Sequence, residues 1–480
     1  MKLTYQVNEK APFGKNLLYA FQQLLAILAA TVLVPVLVNG NTGTNYLNQA
    51  SALIGAGVGT IVYLLFTKFK SPVFLGSSFA FISPLCTGVA FGYLGVVLGA
   101  IFAGLVYVII ALIISKVGAG WIKKLMPAVI IGPTVALIGL SLSGSAINNV
   151  MNVAVHPSNY NLLHIAVAII TFLVTVIASV KGTKGMKLIP FIIGVGAGYV
   201  VAAILTVVGY HLFDNAYFKI IDFSVFAKVV DFKNWIPDIT LVGAIKEIAS
   251  GNVLNGQGIT GVISVLLAFA PVALVVFAEH VADHRNISTI IEKDLLEDPG
   301  LHRTLLGDGV GSIAGALMGG CPNTTYGESV GCVAITGVAS VYTILTTSIM
   351  CIILAFVYPV MLFIQSIPGC VIGGISIALY GFIAVSGLRM FKHVDLDDSK
   401  NLFIVAAILV TGLGGLTLNF GGTYDAPLIQ ISSIACALIL GIIVNLILKP
   451  AKVEVKKEVI APEDKEVENN IFGTELKDKK

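Results

Sequence analysis

The sequence predicts an all-α polytopic membrane protein, and three observations carry that class. Of its 480 residues, 56% are hydrophobic and 11% charged, where a soluble domain carries about 25% charge. Apolar runs near the length of a membrane crossing recur through the chain. Between them, basic residues collect in alternate loops.

A spanning helix needs about 20 mostly apolar residues. On that measure fourteen spans are expected. The first seven cover roughly 16–38, 48–67, 72–91, 93–115, 123–146, 161–180 and 188–211. The second seven cover roughly 260–284, 304–320, 322–338, 340–365, 369–388, 401–418 and 427–448. The N-terminal 16 residues are polar and lack a cleavable signal pattern, so the first apolar run is expected to persist as a span.

Loop charge tests this count. With the N-terminus cytoplasmic, the inside loops carry Lys68 and Lys70, then Lys116, Lys123 and Lys124, then Lys181, Lys184 and Lys187. They continue with Arg285, Lys293 and Arg303, then Arg389, Lys392 and Lys400. The short outside loops 38–47, 147–161 and 419–426 hold no Lys or Arg. That is the positive-inside pattern, and it puts both termini in the cytoplasm. One inside turn, 337–341, has no basic residue. A long outside stretch, 213–259, divides the spans seven and seven. The tail 449–480, with eight basic and eight acidic residues, reads as solvated and disordered.

Composition excludes several functions. A net charge of +3 without a basic patch gives no nucleic-acid partner. The six cysteines show no metal-ligand spacing and read as buried free thiols. There is no G-x-x-x-x-G-K-[ST] loop, nucleophile elbow, H-E-x-x-H or CxxC, so neither ATP hydrolysis nor a membrane enzyme is indicated, and no cofactor is expected. A secondary transporter remains.

Seven spans is an odd number, so a second copy must lie inverted relative to the first. Gly76-Ser77-Ser78-Phe79-Ala80 in the third span answers Asn323-Thr324-Thr325-Tyr326-Gly327 in the tenth: hydroxyl, hydroxyl, aromatic, small. Both are poor helices. Pro72 and Pro84 bracket one, and Gly319-Gly320-Cys321-Pro322 opens the other. A short extended segment suits such residues better. Unwound backbone at membrane depth is tolerated where protein or a wet cavity surrounds it. Paired interruptions in two halves point to a transport site, with the following helix N-termini aimed at it. The bland alternative is that small residues only let helices pack closely.

A carboxylate at mid-membrane is costly and marks function. Glu279 and Asp283 are four apart and share a helix face. Glu328 follows the second broken segment. His280 is turned from the acidic face by about 100°. Asp308 and Asp425, at span ends, read as structural or solvated. His164 and His211 read as interfacial, and His284 and His302 as loop residues. No span carries a central Lys or Arg, which argues against an anion carrier that relies on a fixed cation.

FAEH at 277–280, PNTTYGE at 322–328, GSSFAFISP at 76–84, EKDLLEDPGLHR at 292–303 and ATVLVP at 30–35 resemble the bacterial uracil permeases of the nucleobase–cation symporter, or nucleobase–ascorbate transporter, family. The likeness covers the whole span region. It implies two inverted repeats of seven spans, with short strands interrupting spans 3 and 10. It also implies a core domain of 16–116 and 260–366 and a gate domain of 117–212 and 367–448. The cytoplasmic N-terminus 1–15, the outer stretch 213–259 and the tail 449–480 lie outside both. A homodimer in the bacterial plasma membrane is implied, moving uracil or a related nucleobase with protons by alternating access. Carried over, Glu279 and Glu328 bond the pyrimidine, backbone groups of Phe79, Tyr326 and Gly327 frame its edge, and Ala30 packs beside it. Proton coupling falls to Glu279, Asp283, Gln23 and Glu328.

Three positions depart from the family pattern: Gln23 where the family commonly has His, Asp283 for a His, and Ser329 for an Asn. Asp283 and Gln23 stand as a carboxylate–amide replacement for the lost histidines. Two other cargoes remain on the same scaffold: another base, such as xanthine or urate, or an exchanged anion.

Overall fold

The chain is mostly helical in the computed structural model, which describes residues 3–118, 120–151, 161–422 and 427–448. The expectations for Asp425, the Lys123 and Lys124 side chains and the tail 449–480 fall outside what is described. The first half runs α1 (Phe13–Thr42), α2 (Gln49–Phe66), β1 (Leu75–Ser77), a 3₁₀ turn (Phe79–Phe81), α3 (Ile82–Ala90), α4 (Gly92–Val117), α5 (Gly120–Leu125), α6 (Ala128–Ser141), α7 (Ser143–Met151), α8 (Leu162–Val180) and α9 (Pro190–Leu205). The second runs α10 (Thr240–Ala249), α11 (Gly258–Ile291), α12 (Leu301–Gly319), β2 (Asn323–Thr325), α13 (Gly327–Thr336), α14 (Val341–Ala355), α15 (Tyr358–Gln365), α16 (Gly369–Arg389), α17 (Ser399–Leu413), β3 (Leu418–Gly422), β4 (Pro427–Ile431) and α18 (Ser433–Ile447).

Fourteen spans were expected. Among the described residues, eight helices are long and apolar enough to cross a membrane, or nine if α14 and α15, bent by 79°, form one. The shortfall has identifiable causes. The third and tenth runs open into a strand followed by a short helix. The five glycines, Arg303 and Asp308 of α12 dilute its hydropathy. Helices α17 and α18 have 15 residues each; that is about 22 Å, against a hydrocarbon core of about 30 Å.

The helices pack in two groups. In one, α12 lies against α2 and α4, α14 against α1 and α2, and α11 against α4. In the other, α16 lies against α6, α7 and α8, while α17 packs on α6 and α18. Glycine makes the closest approach. A Cβ on Gly55 would collide with the Gly315 carbonyl, and one on Gly59 would sit 2.7 Å from the Gly311 carbonyl. With no side chain at these contacts, α2 and α12 touch backbone to backbone.

The outer stretch 213–259 is built rather than loose. It holds 3₁₀ turns and α10. The Glu247 carboxylate of α10 accepts from the Tyr93 and Leu94 amides, both at 2.9 Å. Those donors are orphans of the first turn of α4, and a carboxylate there also complements the helix dipole. Strands β3 and β4 form an antiparallel hairpin between α17 and α18. Of the six cysteines, all free, five are buried and Cys86 is half-buried.

Candidate functional site

Strands β1 and β2 pair antiparallel, with Leu75 opposite Thr325, Gly76 opposite Thr324 and Ser77 opposite Asn323. Two three-residue strands cannot satisfy their own backbone, so neighbouring helices supply the rest. Thr60 of α2 accepts from the Leu75 amide at 2.9 Å and donates to the Leu75 carbonyl at 3.1 Å. Ser312 of α12 accepts from the Asn323 amide at 3.0 Å, and the Asn323 side chain donates to the Gly55 carbonyl at 2.9 Å. That amide is wedged against Gly59 and Gly315, where any side chain would collide with it. The glycine contact between α2 and α12 therefore holds β2 in position.

Each strand feeds a helix start. Phe79 opens the 3₁₀ turn leading into α3, and Gly327 opens α13. First-turn amides have no carbonyl of a preceding turn to bond, so both starts offer donors to one place. Tyr326 does not join them through its own amide, which donates to the Phe74 carbonyl at 3.1 Å. Its ring lies over Gly76, and its hydroxyl donates to the Ser77 carbonyl at 2.8 Å. Tyr326 thus ties the strands together, while Phe79 and Gly327 stand at the two helix starts.

Both helix starts face a cavity of about 540 Å³. Glu279, Asp283 and Glu328 line it together with Phe79, Tyr326 and Gly327. Glu279 and Asp283 reach it from the same face of α11, and Glu328 from the first turn of α13. Phe382, Ile383 and Leu379 of α16 form the facing wall. Phe79 meets Tyr380 of α16 edge-on, with ring centroids 6.0 Å apart. The cavity therefore lies between the two helix groups. Exposed Lys187 and Arg389 also line it.

Two carried-over residues lie elsewhere. Ala30 is buried and is not part of the cavity lining; Ala26, one turn earlier on α1, is. Gln23 is 3% exposed and donates to Ser329 Oγ rather than facing the cavity. Ser329 also accepts from the Phe74 amide at 3.2 Å. Asp283 Oδ2 accepts from Thr325 Oγ1 at 2.8 Å, which joins α11 to β2.

The structure corrects the reading of Asp308 and of His284. Asp308 is not a solvated span end; it is 0% exposed and meets His280 Nδ1 at 2.7 Å. Thr304 stands 3.0 Å from the other ring nitrogen. His284 is not in a loop either, because α11 runs on to Ile291 and buries it completely. Its Nδ1 donates to the His280 carbonyl at 2.8 Å, and its Nε2 lies 2.6 Å from the Tyr63 hydroxyl, which itself donates to Ser71 Oγ at 2.6 Å. The residues turned about 100° from the acidic face thus form a second polar layer behind the cavity. The available signal was the spacing of His280 and His284, four apart and on one helix face. Among the described residues no group of three or more His, Cys, Asp or Glu is arranged to hold a metal.

Comparison with known proteins agrees with this architecture. The chain is 37% identical over 444 residues to the uracil permease of Bacillus subtilis (strain 168), covering 91% of this chain and 93% of that one. It is 34% identical over 456 residues to the uracil permease of Escherichia coli (strain K12), covering 95% and 96%. Among solved structures, the transmembrane domain of a cyanobacterial bicarbonate transporter, BicA, aligns with a TM-score of 0.56 at 13% identity, covering 92% of this chain and all of that one. Murine Solute Carrier 26 family member A9, an anion transporter, aligns at 0.58 and 11%, covering 92% and 69%. At such identities the likeness is one of fold. The model of the Permease family matches residues 14–421, and the chain belongs to that family of membrane transporters.

Proposed function

We propose that this chain imports uracil by proton symport, as a homodimer in a bacterial plasma membrane with both termini in the cytoplasm. The observation that carries this reading is the convergence of two carboxylates, Glu279 and Glu328, with the opened starts of two helices on one cavity. Uracil is a flat ring with two N–H donors and two carbonyl acceptors. Carboxylates accept from N–H, and the Phe79 and Gly327 amides suit the carbonyls. Each hydrogen bond to a charged partner is worth about 1.5–3 kcal/mol. The uracil permeases among the relatives support the same cargo.

Fourteen spans in two inverted sevens would supply the moving parts. The α2–α12 group acts as the core domain carrying the site, and the α6–α16 group as the gate. With both termini inside, the part of the cavity lined by the basic Lys187 and Arg389 would face the cytoplasm. Glu279, Asp283 and Glu328 are the proton-coupling acids, with Gln23 supporting α13 through Ser329.

Uptake into proteoliposomes tests the reading, with and without a proton gradient and with competing bases. Uracil accumulates only with the gradient. Preference for xanthine or urate would change the cargo and keep the site. Glu328→Ala abolishes uracil binding; wild-type affinity in that variant would refute the site. Glu279→Gln stops or uncouples uptake. The cations Lys187 and Arg389 in the cavity lining favour a second reading, anion exchange on this scaffold. That reading requires uptake that ignores the proton gradient and survives Glu279→Gln.

A further inference from the structure

The inside turn 337–341 follows α13 directly and has no basic residue of its own. The N-terminal segment covers it. Residues 4–9 run alongside as a strap, with Tyr5 in a parallel bridge to Val338 and a turn at Val7–Asn8, where the Glu9 amide donates to the Gln6 carbonyl at 3.1 Å. The Thr4 amide donates to the Gly337 carbonyl at 2.7 Å, the Ala339 amide to the Tyr5 carbonyl at 3.0 Å, and the Val341 amide to the Val7 carbonyl at 3.0 Å. Ser340 Oγ donates to the Glu9 carbonyl at 2.6 Å. Val7 is 3% exposed, and Lys10 lies 4.4 Å from the centre of the Tyr342 ring. A segment tied down this way is no longer a free terminus.

The consequence lies one helix away. Helix α13 is ten residues long, starts with Gly327 and Glu328, and lines the cavity as far as Ile335. At its other end the Gly337 amide closes the helix on the Val333 carbonyl at 2.9 Å, while the Gly337 carbonyl accepts from the strap. So short a helix has little stability of its own and depends on what holds its ends. We propose that residues 4–9 are a positioning strap for α13, setting the direction in which Glu328 and the Gly327 amide present themselves to the substrate.

The functional half of this proposal rests on the uracil reading; the structural half does not, and the test separates them. Hydrogen–deuterium exchange is measured on wild type, Val7→Asp, Val7→Ile and a chain lacking only residues 2–9, together with uracil affinity. In Val7→Asp, exchange rises about tenfold or more across 327–341, including the first turns of α13. Its uracil affinity falls at least about fivefold, as a small misplacement of a binding group allows. The conservative, apolar Val7→Ile keeps both near wild type. The truncated chain repeats the Val7→Asp result if the charge itself is not the cause. Faster exchange confined to 337–341, with 327–336 and uracil affinity unchanged, overturns the proposal. Wild-type protein that binds no uracil refutes the cargo, while the exchange result still decides the strap.

Discussion

Gln23 Nε2 donates to Ser329 Oγ across 2.5 Å, joining the first helix to the half-helix that carries Glu328. These are two of the three positions where the sequence departs from the pattern of the family it resembles, and they depart together. The third, Asp283, bonds Thr325 of the adjoining strand. Each of the three departing residues is thus hydrogen-bonded within the chain, Gln23 to Ser329 and Asp283 to Thr325.

The first expectation concerns that pair. Both side chains are buried, and the bond is local to them. Gln23→Ala and Ser329→Ala each leave a buried polar group short of a partner, costing about 1–3 kcal/mol apiece. Combining them costs less than the sum by about 1 kcal/mol. Thermal unfolding of the four proteins in detergent measures the coupling, and simple additivity would mean the contact contributes nothing.

Glycine spacing gives the second. Asn323 fits between Gly59 and Gly315 because neither has a Cβ. Gly315→Ala drives the new methyl into the Asn323 amide and the Gly55 carbonyl. The conflict is with a strand that other bonds hold in place, so relaxation is limited and the cost is about 1–3 kcal/mol. Gly331→Ala on α13 meets nothing within 4 Å and is the control. Ligand-stabilised melting separates them: Gly315→Ala loses both melting temperature and the stabilisation by uracil, while Gly331→Ala keeps its melting temperature.

The membrane class, the transporter assignment and the family were legible in the sequence because they depend on composition, loop charge and local motifs. PNTTYGE and FAEH survive any uncertainty about helix ends. Asp308 and His284 were misread for one reason. Their burial is decided by how far α11 continues past the apolar run and by which helix α12 faces, and a hydropathy window reports neither. Ala26 lines the cavity and Ala30, one turn further along α1, does not, a difference that motif matching does not resolve. The strap at 4–9 had no signal at all beyond a missing basic residue in a turn more than 300 positions away.

The buried His280–Asp308 contact yields the third expectation. Asp308→Ala strands the His280 ring in an apolar interior with one partner fewer. The cost is about 1–3 kcal/mol, the penalty for an unsatisfied buried donor. His280→Ala/Asp308→Ala together remove both halves of the contact, so the double variant melts higher than additivity allows. Unfolding of the two single variants and the double variant checks this. A double variant that is fully additive would show the two side chains to be energetically independent.

Asp283 carries the last expectation, because it separates binding from coupling. It faces the cavity on the helix surface shared with Glu279, and its Oδ2 accepts from Thr325. Asp283→Asn keeps an oxygen able to accept that bond and keeps the side-chain shape. It removes the ability to take up and release a proton. If Asp283 couples transport to protons, the variant binds uracil within about threefold of wild type, since its contacts survive. It also exchanges uracil across a membrane at equal concentrations but does not accumulate it against a gradient. Glu279→Gln, by contrast, turns one oxygen of a cavity-lining carboxylate into an N–H donor, which on the proposed binding mode would oppose an N–H of the base, so affinity and accumulation fall together. Counterflow and gradient-driven uptake in the same proteoliposomes distinguish the two outcomes. An Asp283→Asn protein that accumulates uracil with wild-type pH dependence would assign the proton to Glu279 or Glu328.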